Sequence, residues 1–503
     1  MVWIVLASIW IALIALSRWA YRSGRWRAPC HLDLTALAVL ALAVLGFFWR
    51  VVAGQNWMPA DGGDLVSFLF PTYRYAASTL AQGAWPLWNG HVYGGAPHVG
   101  DIQAGFLYPP NLLLFAVKPD FSYAALQGLS MAHLWFAGAG MYLFLAHGRG
   151  LRRTAALAGG LAFMFSDAFL THFGNLNLNA VLSWLPWVFW AHSAALDRLA
   201  VPSGPDQRER RGWLGFALRA ALPGVLLAVG SLAGHIQATL FIALALAGYT
   251  LLWLYTQRTE SGGLHVAGRA LLTLSIAGAV AILLAGPVLL PALDLAGRTG
   301  RTAWTYTEAA GYSLSPAQLV GWLIPGFFGR GPQFHWGAWP RVEVGYLGIL
   351  PLILAGIGVL LRHRDQGRRI WPLVWLALGS FVLALGIYAI PHGWLTLLPG
   401  LGQLRAPARL IVLTDFALAA LAAYGLDMLL RPLDADQRAA LGRVLRGLVR
   451  MAAGVFGIVL PLAYLALLLV QDRDPAIVTR VSITLIAVVS FALLLAASTG
   501  WLW

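Results

Sequence analysis

Apolar runs of about 20 residues recur along this chain, separated by short polar or basic stretches. A run of that length is what an α-helix needs to cross the ~30 Å hydrocarbon core of a bilayer. Thirteen such spans are predicted, at about 2–20, 31–52, 122–146, 154–171, 176–196, 213–233, 236–256, 270–293, 343–361, 370–390, 408–430, 451–470 and 481–503. The fourth is short and carries Asp167, which predicts a broken or re-entrant segment. The expected fold is all-α: a polytopic transmembrane helical bundle forming one integral-membrane domain over 1–503. No soluble domain and no internal repeat is legible.

One stretch breaks the rhythm. Residues 53–121 form a long connection rich in Trp, Tyr, Gly and Pro, with Asp61, Asp64 and Asp101 among them. Long connections are where chemistry concentrates. After Gly62-Gly63, apolar residues fall at Leu65, Phe68, Leu69, Tyr73, Ala76 and Leu80. That spacing predicts a helix with one apolar face, bent near Pro71 and lying in the interfacial plane of the membrane. Trp85, Trp88, Tyr93 and Tyr108 suit the same headgroup depth.

Composition agrees with the pattern. The chain is 59% hydrophobic and 11% charged, with mean hydropathy +0.72, whereas a soluble domain is nearer a quarter charged. The net charge of +14 does not indicate nucleic acid, because the basic residues sit in short loops between spans. All are Arg except Lys118. Loops with Arg18 to Arg27, Arg149 to Arg153, Arg198 to Arg211, Arg258 and Arg269, Arg362 to Arg369, and Arg431 to Arg450 hold 22 of the 34, against 11 on the alternate side. The richer side is expected to be cytoplasmic. The N-terminus and the 53–121 loop are then outside, with a second outer loop at 294–342 and a smaller one near 391–407. These three loops are expected to assemble one site. Cys30, the single cysteine, excludes an intrachain disulfide. The first apolar block has basic residues after it rather than before, which reads as a span and not as a secretory leader.

Asp64 has two compatible readings. It is placed to cap the loop helix, and it is equally placed to face a substrate. Asp101, in GDIQAGFLYPPN, reads as a turn former or as a second acid. Two carboxylates at a membrane-level cleft suit glycosyl transfer, in which an acceptor hydroxyl loses a proton as it attacks the anomeric carbon. The leaving phosphate then needs cationic stabilisation, for which the planar Arg fork is better suited than Lys.

The segments GDLVSFLFPTYRY, GAWPLWNGHVYGGAP and DIQAGFLYPPNLLLF together resemble the bacterial YfhO-like membrane proteins. AGHIQATLF (Ala233 to Phe241), SLSPAQLVGWLIPGFFG (Ser313 to Gly329) and LPGLGQLRAPARLIVL (Leu398 to Leu413) extend the resemblance, which covers about Asp64 to Asp427. That family looks like the GT-C class of integral-membrane glycosyltransferases. The resemblance implies a polyprenyl-phosphate sugar donor and transfer on the outer face to an envelope polymer, lipid or protein. It also implies a catalytic Asp in the first outer loop, matched best by Asp64, with Asp101 second. Many members continue further with more spans and an outer C-terminal portion, so a chain ending at Trp503 is expected to be a short relative or a fragment.

Arg405 and Arg409 stand at the start of a span, on one face if the helix has already begun, and suit either a donor phosphate or lipid phosphates. Asp415 is placed to organise that pair. His235 and Gln237, in GHIQ, can bond sugar hydroxyls or simply satisfy a turn. Arg74 and Trp88 complete the substrate-binding candidates. His172, Asn175, Asn177 and Asn179 read as a solvated outer turn. Asp167, Asp294 and Asp415, at or inside apolar spans, are expected to face a cavity or a partner. Glu308 and Glu343, in the second outer loop, suit an accessory acid or a metal ligand. The twelve His lack metal-ligand spacing; a divalent cation on outer carboxylates has no spacing to support it, and no cofactor is indicated. No nucleotide loop is present, which fits a lipid-linked donor. The competing functions are a transporter or flippase of a lipid-linked envelope precursor, and a non-catalytic envelope assembly protein.

Overall fold

The computed structural model describes residues 2–23, 29–60, 62–200, 212–257, 263–298, 305–329, 331, 333–337, 345–362, 367–398 and 401–503. Asp61 and Glu343 lie outside the described residues. Among the described residues the architecture is all-α, apart from one two-residue ladder pairing Trp88 with Pro97 and Asn89 with Ala96. Among the described residues, nine helices are long and apolar enough to cross a membrane. Several turn bare apolar side chains outward, such as Leu283, Leu290, Ile458 and Leu469. Surfaces of that kind belong in lipid. This is the architecture of a polytopic helical membrane protein.

The four other predicted spans are helical but are not among the nine. The segment predicted at 176–196 is divided at Trp184 into Leu176–Ser183 and Leu185–Ala200. The one at 343–361 starts helically only at Ile349, because Gly345 and Gly348 take positive φ. Those at 2–20 and 370–390 form Val2–Arg22 and Gly367–Ala384, outside the nine. The predicted break at Asp167 is present, with Arg153–Met164 ending before Asp167–Thr171 begins.

The chain divides into two compact units. The first is Met1–Met164, His172–Thr239 and Leu271–Ala292; the second is Phe165–Thr171, Leu240–Ala270 and Leu293–Trp503.

In the first unit, Tyr123–Leu143 and Arg153–Met164 approach closely. A Cβ on Gly160 would stand 2.8 Å from the Gly138 carbonyl oxygen, the small-residue contact by which helices pack where no hydrophobic effect drives them together. At the end of this pair nearest the 147–152 turn, Asp33 accepts three hydrogen bonds and has a histidine nitrogen beside it. The Tyr142 hydroxyl donates at 2.6 Å, Arg153 Nε and Nη2 at 2.8 and 3.3 Å, and His147 Nε2 lies 3.2 Å away. A two-pronged guanidinium contact of this kind, half shielded from water, lies between a surface pair and a buried one. Asp33→Asn is expected to destabilise the first unit by about 1–3 kcal/mol. A melting temperature in detergent equal to wild type would show that the network contributes nothing.

In the second unit, Ile349–Leu360 and Ile411–Leu429 cross with almost no space between backbones. A Cβ on Gly425 would overlap the Leu354 carbonyl oxygen, and one on Gly358 would lie 2.5 Å from that of Leu421. The helix Ile411–Leu429 is consequently the most enclosed element of the unit, with Asp415, Phe416 and Ala423 fully buried.

Candidate functional site

The 53–121 connection is a folded element, not an open loop. Leu65–Leu69 is a wide π turn running into Phe70–Ala81, and Pro71, which brings no N–H, falls just after that widening of the helix. The predicted apolar stripe is the correct face, but it does not lie on lipid. Leu65, Leu69, Tyr73 and Ala76 are buried against Phe106, Phe115, Phe121, Leu126 and Leu176. At roughly 1.5–3 kcal/mol per large buried side chain, this core holds the loop to the helices beneath it. Trp57, Trp85, Leu87 and Tyr93 remain exposed.

A polar thread pins the loop from below. Trp184 Nε1–H donates to the Tyr108 hydroxyl at 3.0 Å, which itself lies 2.9 Å from His133 Nε2. The Leu129 carbonyl, 2.8 Å from His133 Nδ1, can only accept, so His133 carries its proton on Nδ1. Nε2 of the neutral ring then accepts the Tyr108 O–H, while the phenol oxygen accepts from the indole. Every member is satisfied, and the tautomer follows from the chain of donors.

Asp64 is not a cap. The helix begins one residue earlier, and Asp64 already has helical φ and ψ of −63° and −23° with no capping bond. Its exposed carboxylate turns instead to Asn175, whose amide Nδ2 donates to Oδ2 at 2.5 Å. Asn175 belongs to the turn read as solvated, and that reading fails for its neighbours as well. His172, Asn177 and Asn179 are buried. Asn179 Nδ2 donates to the His172 carbonyl at 2.9 Å, and Asn177 Oδ1 accepts from Leu178 N–H. The turn is pressed onto the loop: a Cβ on Gly174 would stand 2.8 Å from Pro59 Cγ.

Asp101 takes the turn-forming role. Its Oδ1 accepts from Gln103 N–H at 3.0 Å and caps the short helix Ile102–Ala104. This turn abuts the GHIQ segment. A Cβ on Gly105 would lie 2.9 Å from the Ala233 carbonyl oxygen, and one on Gly234 would overlap that of Ile102. Both glycines have positive φ, so they serve conformation and close approach together. His235 Nδ1 accepts from Ala238 N–H at 3.2 Å and so caps Ile236–Gln257, while Gln237 is buried. The loop end of the first unit therefore gathers Asp64 with Asn175, and the Asp101 turn with His235 and Gln237.

Two further candidates support the loop itself. Arg74 Nη1 donates to the Phe121 carbonyl at 3.1 Å, with its guanidinium over the Phe121 ring, which ties the end of the loop to its first helix. Trp88 is exposed; its carbonyl accepts from Tyr75 OH and its indole lies over Gly95. Beneath this ladder His98 is enclosed by Tyr75 and Phe106. Burial pushes its pKa down to about 4. The unfolded chain, with an ordinary His pKa, binds the proton first as pH falls. The neutral ring thus contributes full stability above about pH 6.5, and that stability drains between about 6.5 and 4. Amide exchange in residues 85–108 is expected to quicken from pH 7 to pH 5, and less so in His98→Phe; equal acceleration in both would remove His98 as the cause.

Arg405 and Arg409 lie in the second unit, where the other two long loops meet. Leu314 N–H donates to the Ala384 carbonyl, Ile387 N–H to Ser313 Oγ, and Ala408 N–H to the Tyr312 carbonyl. The arginines do not share a helical face. The helical turn begins at Pro407, after Ala406 at φ +57°, so Arg405 precedes it and Arg409 is inside it. Arg405 is exposed, with its guanidinium 5.4 Å from the Tyr312 ring centre. Asp415 accepts no hydrogen bond from either arginine. Glu308 takes a capping role: it accepts from Thr305 N–H and Oγ1 at 2.7 and 2.8 Å in a complete capping box. Those bonds hold its carboxyl below the usual carboxylate range. Asp294 pairs with Arg298 one turn on, in the open. Among the described residues, no group of three or more His, Cys, Asp or Glu is arranged to hold a metal ion.

Compared with models of known protein families, with curated proteins and with solved structures, the chain gives no match in any of the three.

Proposed function

We propose that this protein is a GT-C-like membrane glycosyltransferase, moving a sugar from a polyprenyl-phosphate donor to an envelope acceptor on the extracytoplasmic face. The observation that carries the reading is Asp64. It is an exposed carboxylate on the helical segment that runs into Phe70–Ala81, bonded through Oδ2 to Asn175, and among the described residues Oδ1 has no protein partner. A base must be aimed as well as present, and a donor on one oxygen leaves the other for the acceptor hydroxyl. Asp101, His235 and Gln237 would bind sugar hydroxyls at the same end of the first unit. Arg405 and Arg409, in the second unit, stay candidates for a phosphate by residue type, since the planar guanidinium suits one. On this reading the Arg-rich loops form the cytoplasmic side, and the spans number thirteen in all.

Asn175 supplies the test of aim. Asn175→Ala is expected to lower kcat about tenfold, the loss of one hydrogen bond to a charged group, with the donor KM unchanged. An unaltered kcat would show that Asn175 does not orient the base. The flippase reading draws on a different observation, the buried Asp167 and Asp415 within apolar segments.

A further inference from the structure

In the second unit a cleft of about 330 Å³ lies between the segment 323–326 and the helix Pro475–Leu502. Pro325 and Gly326 line one side, and Ile483, Ala487, Phe491 and Leu494 line the other. That volume is at the lower end of small-molecule sites, roughly 300–1,000 Å³. Ile486 and Leu494, both in the lining, are exposed, so the cleft opens sideways along a helix long and apolar enough to cross a membrane. Its loop-side wall is fixed to that helix by a polar clamp. Trp336 Nε1–H donates to Thr484 Oγ1 at 3.0 Å, and the Thr484 hydroxyl donates to the Phe327 carbonyl at 2.7 Å.

The lining is almost wholly apolar. Its one side chain with a hydroxyl, Ser490, donates back to the Ile486 carbonyl at 2.8 Å. The cleft therefore offers little to a sugar or a free ion and suits a hydrocarbon chain.

A cation stands on the same stripe of the helix. Positions 480, 483, 487, 491 and 494 follow the three-and-four spacing that puts residues on one face. Arg480 is thus one turn nearer the helix start than Ile483, and its side chain leans toward that start. It is half-buried, and its Nε is enclosed without a hydrogen-bond partner among the described residues. The helix itself has no acidic side chain, and the carboxylate of Asp474 just before it accepts from Ala476 N–H at 2.8 Å. With 28 residues the helix is about 42 Å long, more than the ~30 Å hydrocarbon core, so its first turns reach headgroup level. An arginine at that depth can take phosphate oxygens on its planar fork.

We propose that this cleft seats one anionic diacyl phospholipid, with an acyl chain against Ile483, Ala487 and Leu494 and the headgroup phosphate on Arg480. The occupant is drawn from the bilayer, toward which the cleft opens, and the charge of Arg480 selects a lipid of net negative charge. Such a lipid is a structural partner that fills the gap beside the 323–327 segment, and it binds whether the chain transfers a sugar or moves a lipid.

The test is native mass spectrometry of the whole protein, stripped of lipid in detergent and titrated with phosphatidylglycerol, phosphatidylcholine or a polyprenyl phosphate. Wild type is expected to bind its first phosphatidylglycerol about tenfold more tightly than phosphatidylcholine, the worth of one hydrogen bond to a charged group. Arg480→Gln should lose that preference, whereas Arg443→Gln, an exposed site on Ala435–Gly454, should keep it. Ala487→Phe, whose ring would stand in the open cleft, should lose the tight first binding altogether. Equal binding of the two phospholipids by wild type overturns the proposal, and needs no variant to fold. So does a preference that survives Arg480→Gln or Ala487→Phe. Displacement of phosphatidylglycerol from wild type by an equimolar polyprenyl phosphate also overturns it, since the cleft would then belong to an isoprenoid carrier.

Discussion

Asp64→Asn is expected to reduce sugar transfer by about 10²–10⁴-fold, the usual worth of a positioned general base. The variant should insert and melt like wild type. Asp64 is exposed and its carboxylate caps nothing, so its loss removes only the contact with Asn175. The asparagine is close in shape and can still bond to Asn175, but it cannot take a proton from an acceptor hydroxyl at neutral pH. The loss should fall on kcat with little change in the donor KM, because the base acts on the acceptor in the transition state. Transfer within a factor of about two of wild type would remove Asp64 from the base role. Asp101, whose Oδ1 accepts from Gln103 N–H, would then be the next acid of the loop to test.

The largest structural effect is expected at Gly425. Its missing side chain lets Ile411–Leu429 lie directly on the Leu354 carbonyl of Ile349–Leu360, and Gly358 returns the same contact from the other helix. Gly425→Val would place two methyl groups beyond a Cβ that already overlaps backbone. Backbone cannot rotate aside as a side chain can, so the helices must separate. Overpacking costs about 1–3 kcal/mol where neighbours adjust and more where they cannot; here the upper end or beyond is expected. The readout is the yield and melting temperature of the monodisperse protein, with Gly356→Ala as control, since a Cβ at Gly356 meets nothing within 4 Å. A Gly425→Val variant that melts like wild type would mean that the two helices are not in backbone contact.

The sequence pattern was enough to find the helices and to find the buried face of the loop helix, because periodicity records which side of a helix avoids water. It does not record what covers that side. Leu65, Leu69, Tyr73 and Ala76 looked suited to lipid, yet Phe106, Phe115 and Phe121 from the same loop cover them. The break at Asp167 was legible because a charge interrupts an apolar run. The partner of Asp64 was not. Local rules propose a cap for an Asp at a helix start, and Asn175 is 111 residues away. The same limit explains His172, Asn177 and Asn179. Turn composition predicts water, but the Gly174–Pro59 contact closes the turn against protein and leaves these groups to bond within it. The apolar surroundings of Asp415 mark it in the sequence, but neither of its carboxyl oxygens accepts a hydrogen bond from the arginine pair expected to meet it.

We propose that a sugar leaves polyprenyl phosphate with Asp64 acting as base on the acceptor hydroxyl. This is tested most directly by reconstituting the purified protein in liposomes with a panel of polyprenyl-phosphate sugars and an envelope lipid extract as acceptor. The quantity measured is polyprenyl phosphate released, by wild type and by Asp64→Asn. The account predicts release from at least one donor by wild type, lowered about a hundredfold or more in the variant. Release that is equal in the two proteins, or absent for every donor while the protein remains folded, would contradict it.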